Sequence, residues 1–215
     1  MKIKWLGHAC FILTAQTGLR IITDPYTSTP DFKLQPVNET ADIVTISHDH
    51  GDHNNVEAVR GKPEIARNTG INKLGGIEFK GIQAYHDTFN GTQRGGNVIW
   101  CFNLDGIKLC HLGDLGHRLG SSEIDEIGDV DIVMIPVGGL YTIDASMATQ
   151  ISDDLKPKIV IPMHYKTAKI PYPIAKADDF IRGKSNVRQL KTSEMELEKA
   201  DLPKVTEIIV FQSDI

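Results

Sequence analysis

Residues 47–55 read SHDHGDHNN, which puts three histidines and two aspartates into nine positions. Neutral imidazole and carboxylate are ligands that zinc takes, and manganese and iron accept them too. On an extended segment residues i and i+2 project to the same side, so His48 and His50 can reach one ion. Asp52 and His53 follow Gly51, where the chain can turn. Being adjacent, they cannot both continue the same row, and they fit a second ion beside the first. A solvated polar loop is the plain alternative. It does not explain why the cluster follows directly on Ile43–Ser47, an apolar run of the kind that forms a buried strand.

The elements that must hold this cluster are mostly strands. Lys2–Leu6, Cys10–Thr14 and Arg20–Thr23 are short, β-rich and separated by Gly7 and by Gln16–Gly18, which predicts a meander. Asn54 or Asn55 caps a short helix running to Val59. Further strands are expected at Ile77–Phe79, Ile82–Tyr85, Val98–Asn103 and Ile107–Leu112, with Asp105-Gly106 marking a tight hairpin. The second half alternates. Strands at Ile132–Pro136 and Ile159–Pro162 flank a helix that Asp144 caps, that carries Ala148, Ile151 and Leu155 on one face, and that Pro157 ends. A helix over Ile174–Ile181 stops at Gly183, and Ile208–Phe211 reads as a last strand. Thr192–Pro203 is charged and unpatterned, an exposed loop or short helix. Many strands, few helices and no linker predict an α/β fold in which sheet packs on sheet with helices outside.

Composition narrows the function. The 215 residues are 40 % hydrophobic and 24 % charged, which fits one domain over residues 1–215. The net charge of −5 offers no basic footprint for nucleic acid. No apolar run approaches the roughly 18 residues of a membrane span, and the N-terminal MKIKWLGHACFIL does not read as a signal peptide. Three cysteines, Cys10, Cys101 and Cys110, with no CxxC, predict reduced thiols in a cytoplasmic protein. Nothing in the composition opposes a homo-oligomer.

The segment SHDHGDH resembles the HxHxDH signature of the metallo-β-lactamase superfamily, and the likeness runs along nearly the whole chain. WLGHACFIL, IITDPY, HLGDLGH, IPVGGLYTID and IPMHY look like motifs of the branch that includes ascorbate-6-phosphate lactonase, uncharacterised metal-dependent hydrolases and N-acyl-phosphatidylethanolamine phospholipase D enzymes. The resemblance implies a four-layer αββα sandwich with the metal site at one edge between the sheets. It carries over His86 (in AYHD), Asp114 (in LGD) and His164 (in PMHY) as the remaining ligands. One ion would have His48, His50, His86 and Asp114; the other would have Asp52, His53, His164 and Asp114. Two divalent ions, zinc or manganese, would then activate a hydroxide, with Asp52 and Asp114 as the catalytic carboxylates. His111, three residues before Asp114, competes with His86, but on a strand it points away from Asp114 and reads better as a supporting histidine.

The resemblance also places Asp24 beneath the ligand loop, where a carboxylate orients an imidazole. The alternative is a turn residue before Pro25. His8, after Gly7, reads as a neighbour of the site. Gly138-Gly139 is a turn or a close approach to substrate, with Tyr141 lining the pocket. Arg94, in GTQRGGN, and Lys166 could each bind an anionic group or be solvated charges, and His117 lines the cleft or sits in a loop. The expected activity is hydrolysis of a lactone or phosphodiester in a small soluble substrate, including one with an anionic group. No partner membrane or nucleic acid is expected. The rivals are an iron-dependent redox enzyme of the persulfide dioxygenase kind and a non-catalytic metal-binding protein.

Overall fold

Two sheets stack face to face, and the first begins as the expected meander. In the structure, a computed structural model that describes residues 1–212, Lys2–Gly7 (β1), Cys10–Thr14 (β2) and Arg20–Thr23 (β3) pair antiparallel. Ile43–Thr45 (β4) and Glu64–Ala66 (β5) then add in parallel. Gly70–Leu74 (β6), Ile77–Tyr85 (β7), Gly96–Leu104 (β8) and Ile107–His111 (β9) form an antiparallel run in the second sheet. Beyond Ser121–Ile127 (α1) the chain alternates: Ile132–Pro136 (β10), Ala145–Leu155 (α2), Ile159–Met163 (β11) and Ala177–Ile181 (α3). Val187–Gln189 (β12), Glu194–Glu196 (β13) and Glu207–Val210 (β14) follow. The six-stranded sheet is ordered β13-β1-β2-β3-β4-β5 and the eight-stranded one β12-β14-β11-β10-β9-β8-β7-β6.

Period-two alternation decides what each face meets. Trp5, Phe11, Leu13, Ile21 and Ile43 turn inward and join Phe79, Trp100 and Ile132 in the core between the sheets. Leu6, Ile12, Ile22 and Val44 point the other way and are buried beneath loop residues such as Phe32, Val37 and Ile174. The smaller sheet is thus covered on both faces. Its outer cover consists of loops and a 3-10 turn at Val56–Ala58, while the helices pack on the larger sheet.

Four local expectations are adjusted. β7 is one nine-residue strand, because pairing with β8 from Phe79 to Tyr85 overrides the low strand propensity of Gly81. The short helix after the histidine cluster is that 3-10 turn, and the Asn55 amide reaches the Tyr26 carbonyl instead of capping it. α3 starts at Ala177, three residues later than expected: Lys176 before it is extended, and the Ala175 amide donates to the Gly138 carbonyl. Within Thr192–Pro203 lies β13, a charged edge strand on β1 followed by a 3-10 turn at Lys199–Asp201. Charged edge strands lack the apolar alternation that marks a strand in sequence. The Asp144 cap holds as read: its carboxylate accepts from the Met147 amide at 2.8 Å, and Ala148, Ile151 and Leu155 are buried.

Candidate metal centre

Every donor singled out in the sequence follows a strand end of the same sense. His8 follows β1, Asp24 β3, His48 β4, His86 β7, Asp114 β9 and His164 β11. The pairings make β1 parallel to β3 and β4, and β7 parallel to β9, β10 and β11. The carboxyl ends therefore open along one edge of both sheets, as in other sites built at strand termini.

Asp114 lies at the centre. Its Oδ2 is 3.2 Å from His53 Nε2, 3.2 Å from His86 Nε2, 3.1 Å from His164 Nε2 and 3.9 Å from His48 Nε2. On one side His48, His50 and His86 face one another, with His48 Nε2 at 3.0 Å from His50 Nδ1. On the other, His8, Asp52, His53 and His164 bring ligand atoms within 4.8 Å of each other. Ligands of a tetrahedral ion at about 2.0–2.1 Å stand roughly 3.3 Å apart, the spacing found here. His50 is the exposed member, so the first group opens to solvent.

The supporting bonds assign the protons. Asp24 is fully buried; its Oδ1 accepts from the Ser47 amide at 2.8 Å, and its Oδ2 accepts from Ser47 Oγ at 2.5 Å and from His53 Nδ1 at 3.0 Å. A carboxylate only accepts, so His53 carries its proton on Nδ1 and turns the Nε2 lone pair to the centre. Ser47 gives its one hydrogen to Asp24, so its oxygen accepts from His48 Nδ1 at 2.9 Å, and His48 Nε2 likewise carries no proton and turns its lone pair toward His50. Asn97 completes the frame: its Nδ2 donates to the Leu112 carbonyl and its Oδ1 accepts from the Asp114 amide, each at 2.9 Å. Two glycines let ligand strands close in. A Cβ on Gly116 would lie 2.2 Å from the His86 carbonyl carbon, and one on Gly138 would lie 2.3 Å from the His164 carbonyl oxygen. The close approach at Gly138 is thus to the protein's own main chain.

The electrostatics call for a cation. Burial would raise the Asp114 carboxyl, yet His164 and His53 hold it well below the carboxylate range. Burial would lower His53, but Asp114 and Asp24 lift it well above the usual histidine value. In the metal-free chain a second proton, on His53 Nε2, would provide the positive charge between the two buried carboxylates that a bound ion would otherwise supply. Burial pushes His48 down to about 3 and His8 to about 4, leaving neutral imidazoles. Both nitrogens of His8, His53 Nε2, His86 Nδ1, His164 Nδ1 and Asp114 Oδ1 are buried without a well-directed hydrogen bond. Unpaired buried polar atoms are rare in native proteins, and His53 Nε2, turned to Asp114, fits a bound ion, whereas His86 Nδ1 and His164 Nδ1 lie on the far side of rings whose Nε2 atoms face Asp114. The residues present therefore suit bound divalent metal.

Other predicted residues lie as follows. Both ring nitrogens of His111 are engaged, Nε2 with the Ala9 carbonyl at 2.9 Å and Nδ1 with the Gly113 amide at 3.2 Å. It ties the two sheets together and touches no donor. His117, read as either a cleft or a loop residue, accepts from the Tyr85 amide at Nε2 and faces the Arg118 carbonyl with Nδ1, so both its nitrogens engage the main chain. Lys166, read as an anion contact or a solvated charge, is neither: it gives its ammonium to the Ile170 and Tyr172 carbonyls at 2.6 and 2.8 Å. Arg94 stands 5.6 Å from the Tyr141 ring centre. Its loop is organised by Asp87, whose carboxylate accepts from the Phe89, Gly91, Gln93 and Arg94 amides.

Sequence reasoning missed Ser47, Asn97 and Tyr172. The Tyr172 hydroxyl donates to Asp52 Oδ2 at 3.3 Å, and its ring packs near Phe32 and Tyr141. Asp52 is pulled below the carboxylate range against its own burial, by His8 first and by His53. Among the described residues no helix is long and apolar enough to cross a membrane.

Comparison with known proteins agrees with this geometry. Residues 2–164 match the family described as the β-lactamase superfamily domain. The chain is 31 % identical over 191 residues to a UPF0173 metal-dependent hydrolase of Thermoplasma acidophilum, covering 78 % of this chain and 84 % of that protein. It is 31 % identical over 210 residues to another from Carboxydothermus hydrogenoformans, covering 83 % and 88 %. A Thermotoga maritima crystal structure of a metallo-β-lactamase superfamily protein superimposes with a TM-score of 0.81 at 37 % identity, covering 98 % and 97 % of the two chains.

Proposed function

This chain belongs to the metallo-β-lactamase superfamily and, within it, to the UPF0173 metal-dependent hydrolases, and from that premise we propose that it uses two divalent ions to cleave an ester-type bond in a small soluble substrate. The lactonase-like branch supplies the finer assignment: a lactone or a phosphodiester. The observation that carries the two-ion reading is the position of Asp114 Oδ2, within 3.2 Å of imidazoles from both donor groups.

His48, His50, His86 and Asp114 would hold one ion, and Asp52, His53, His164 and Asp114 the other. Zinc or manganese bound there would supply Lewis acidity, bringing the pKa of water from 15.7 to about 7 and stabilising charge on the attacked oxygen. The chain's own residues do the rest. Asp24 keeps the His53 proton on Nδ1, directly, and the His48 proton on Nδ1 through Ser47. Asp52, ionised and partly exposed, accepts a hydrogen bond from the attacking water and orients it. Arg94 and Tyr141, stacked at the mouth, receive an anionic substituent of the substrate. The free thiols fit a reducing cytoplasm.

The test is a panel of lactones, phosphodiesters and thioesters offered to zinc- and manganese-loaded protein, with Asp114→Ala beside the wild type. Turnover of one ester class and its loss in a folded Asp114→Ala protein are expected. Full activity in that variant refutes the shared carboxylate.

A further inference from the structure

The segment between His164 and α3 is a built strap. The Lys166 amide donates to the Ala175 carbonyl at 2.7 Å, and the Ala175 amide donates to the Gly138 carbonyl at 2.7 Å. Ile170 and Ile174 are buried among Leu34, Val37 and Ile46 in the outer core of the smaller sheet. The Lys33 amide reaches the Lys169 carbonyl at 2.9 Å, which ties the strap to the loop after β3. Across its interior the Lys166 ammonium holds two carbonyls, Ile170 and Tyr172. An ammonium on two main-chain oxygens fixes the backbone of the residues it bridges, and charge-assisted bonds are the stronger kind.

What this fixes is the Tyr172 ring. It lies 5.8 Å from Phe32, 5.8 Å from Tyr141 and 6.1 Å from His8, and its hydroxyl meets Asp52 Oδ2 at 3.3 Å. The same oxygen faces His8 Nε2 at 3.3 Å. Asp52 sits on the turn after Gly51, where main-chain bonds to the His50 and Gly51 carbonyls hold the backbone, while 22 % of its side chain is exposed. The hydroxyl comes from 120 residues away, across the mouth of the site.

We propose that Tyr172 is a positioning residue for Asp52, and that Lys166 acts through it by locking the strap. The proposal rests on the two-ion reading and extends it to a new element. A carboxylate ligand free to rotate must be ordered each time it binds an ion; a hydroxyl on Oδ2, the oxygen that also faces His8 and His53, does that in advance. Loss of such a partner costs about 10–100-fold in metal affinity.

The experiment needs no substrate. The metal-free chain is titrated with cobalt(II), followed by calorimetry and visible absorption, in the wild type, Tyr172→Phe, Lys166→Met and the double variant. His50→Ala identifies the step belonging to the first group. Tyr172→Phe is expected to weaken the step of the Asp52 group by about tenfold or more, to alter its cobalt absorption bands and to leave the other step in place. Lys166→Met should give a similar loss, and the double variant should be no worse than the weaker single one, because both act on one contact. Unchanged affinity in Tyr172→Phe overturns the proposal. So do equal losses at both steps, or losses that multiply in the double variant. A wild-type chain that binds one ion only refutes the two-ion reading, and this proposal with it.

Discussion

Replacing Asp24 by asparagine is the most revealing single change, since it reverses one atom's hydrogen-bonding role and alters almost no volume. The Asp24 carboxylate is 0 % exposed and accepts three bonds. Asparagine can keep the acceptor that meets the Ser47 amide. Its amide nitrogen then replaces Oδ2 and confronts Ser47 Oγ and His53 Nδ1 with a donor. The neutral imidazole relieves the clash by moving its proton to Nε2, where it points at Asp114 and covers the lone pair an ion needs. Keeping the proton on Nδ1 instead leaves two donors opposed in a dry site, at a cost of about 1–3 kcal/mol. The affinity for the ion held by His53 should therefore fall about 10–100-fold, or about 1.4–2.8 kcal/mol. The first ion should weaken less, through Ser47 and His48. Competitive zinc titration against a chelator reads both steps, and ring-nitrogen NMR of His53 reads the tautomer. Wild-type affinity at both steps, or a His53 proton still on Nδ1, would refute this reasoning.

Metal analysis should separate the two candidate histidines: His86→Ala loses one ion, whereas His111→Ala keeps both and instead lowers the urea midpoint, having lost the tie to Ala9. Gly116→Ala should destabilise the metal-free chain by about 1–3 kcal/mol, because the added Cβ meets the backbone of His86 and Asp87; an unchanged urea midpoint would count against that contact. Metal-free protein should be most stable near pH 6.5. His8, lowered to about 4, and His48, lowered to about 3, bind protons in the unfolded chain first, so stability is lost as pH falls below about 6.5. His53, raised, binds its proton in the folded state, so stability is lost again as pH rises through its folded value. Thermal melts from pH 4 to 9 in chelator should show both limbs; a flat profile would contradict the charge balance described.

The spacing of the sequence was enough to define the local half of the centre. His48 and His50 share a side because an extended chain repeats every two residues, and Asp52 and His53 leave that row because Gly51 permits a turn. Strand patterns were also legible where alternation was strong, as in β2 and β3, and failed where it was weak, as in the charged β13 or across Gly81. Family resemblance, rather than spacing, pointed to His86, Asp114 and His164. Only the tertiary structure brings their Nε2 and Oδ2 atoms within 3.2 Å. The same is true of proton placement and side-chain purpose. Whether Asp24 is a turn residue or an orienting carboxylate depends on Ser47 and His53, 23 and 29 positions away. Lys166 and His117 have the composition of substrate contacts, but folding surrounds them with carbonyls and amides that take up their polar atoms. Tyr172 carries no motif at all. A side chain's chemistry is local and can be read in one dimension; its partners are chosen by strand order and loop closure, which act over a hundred residues or more.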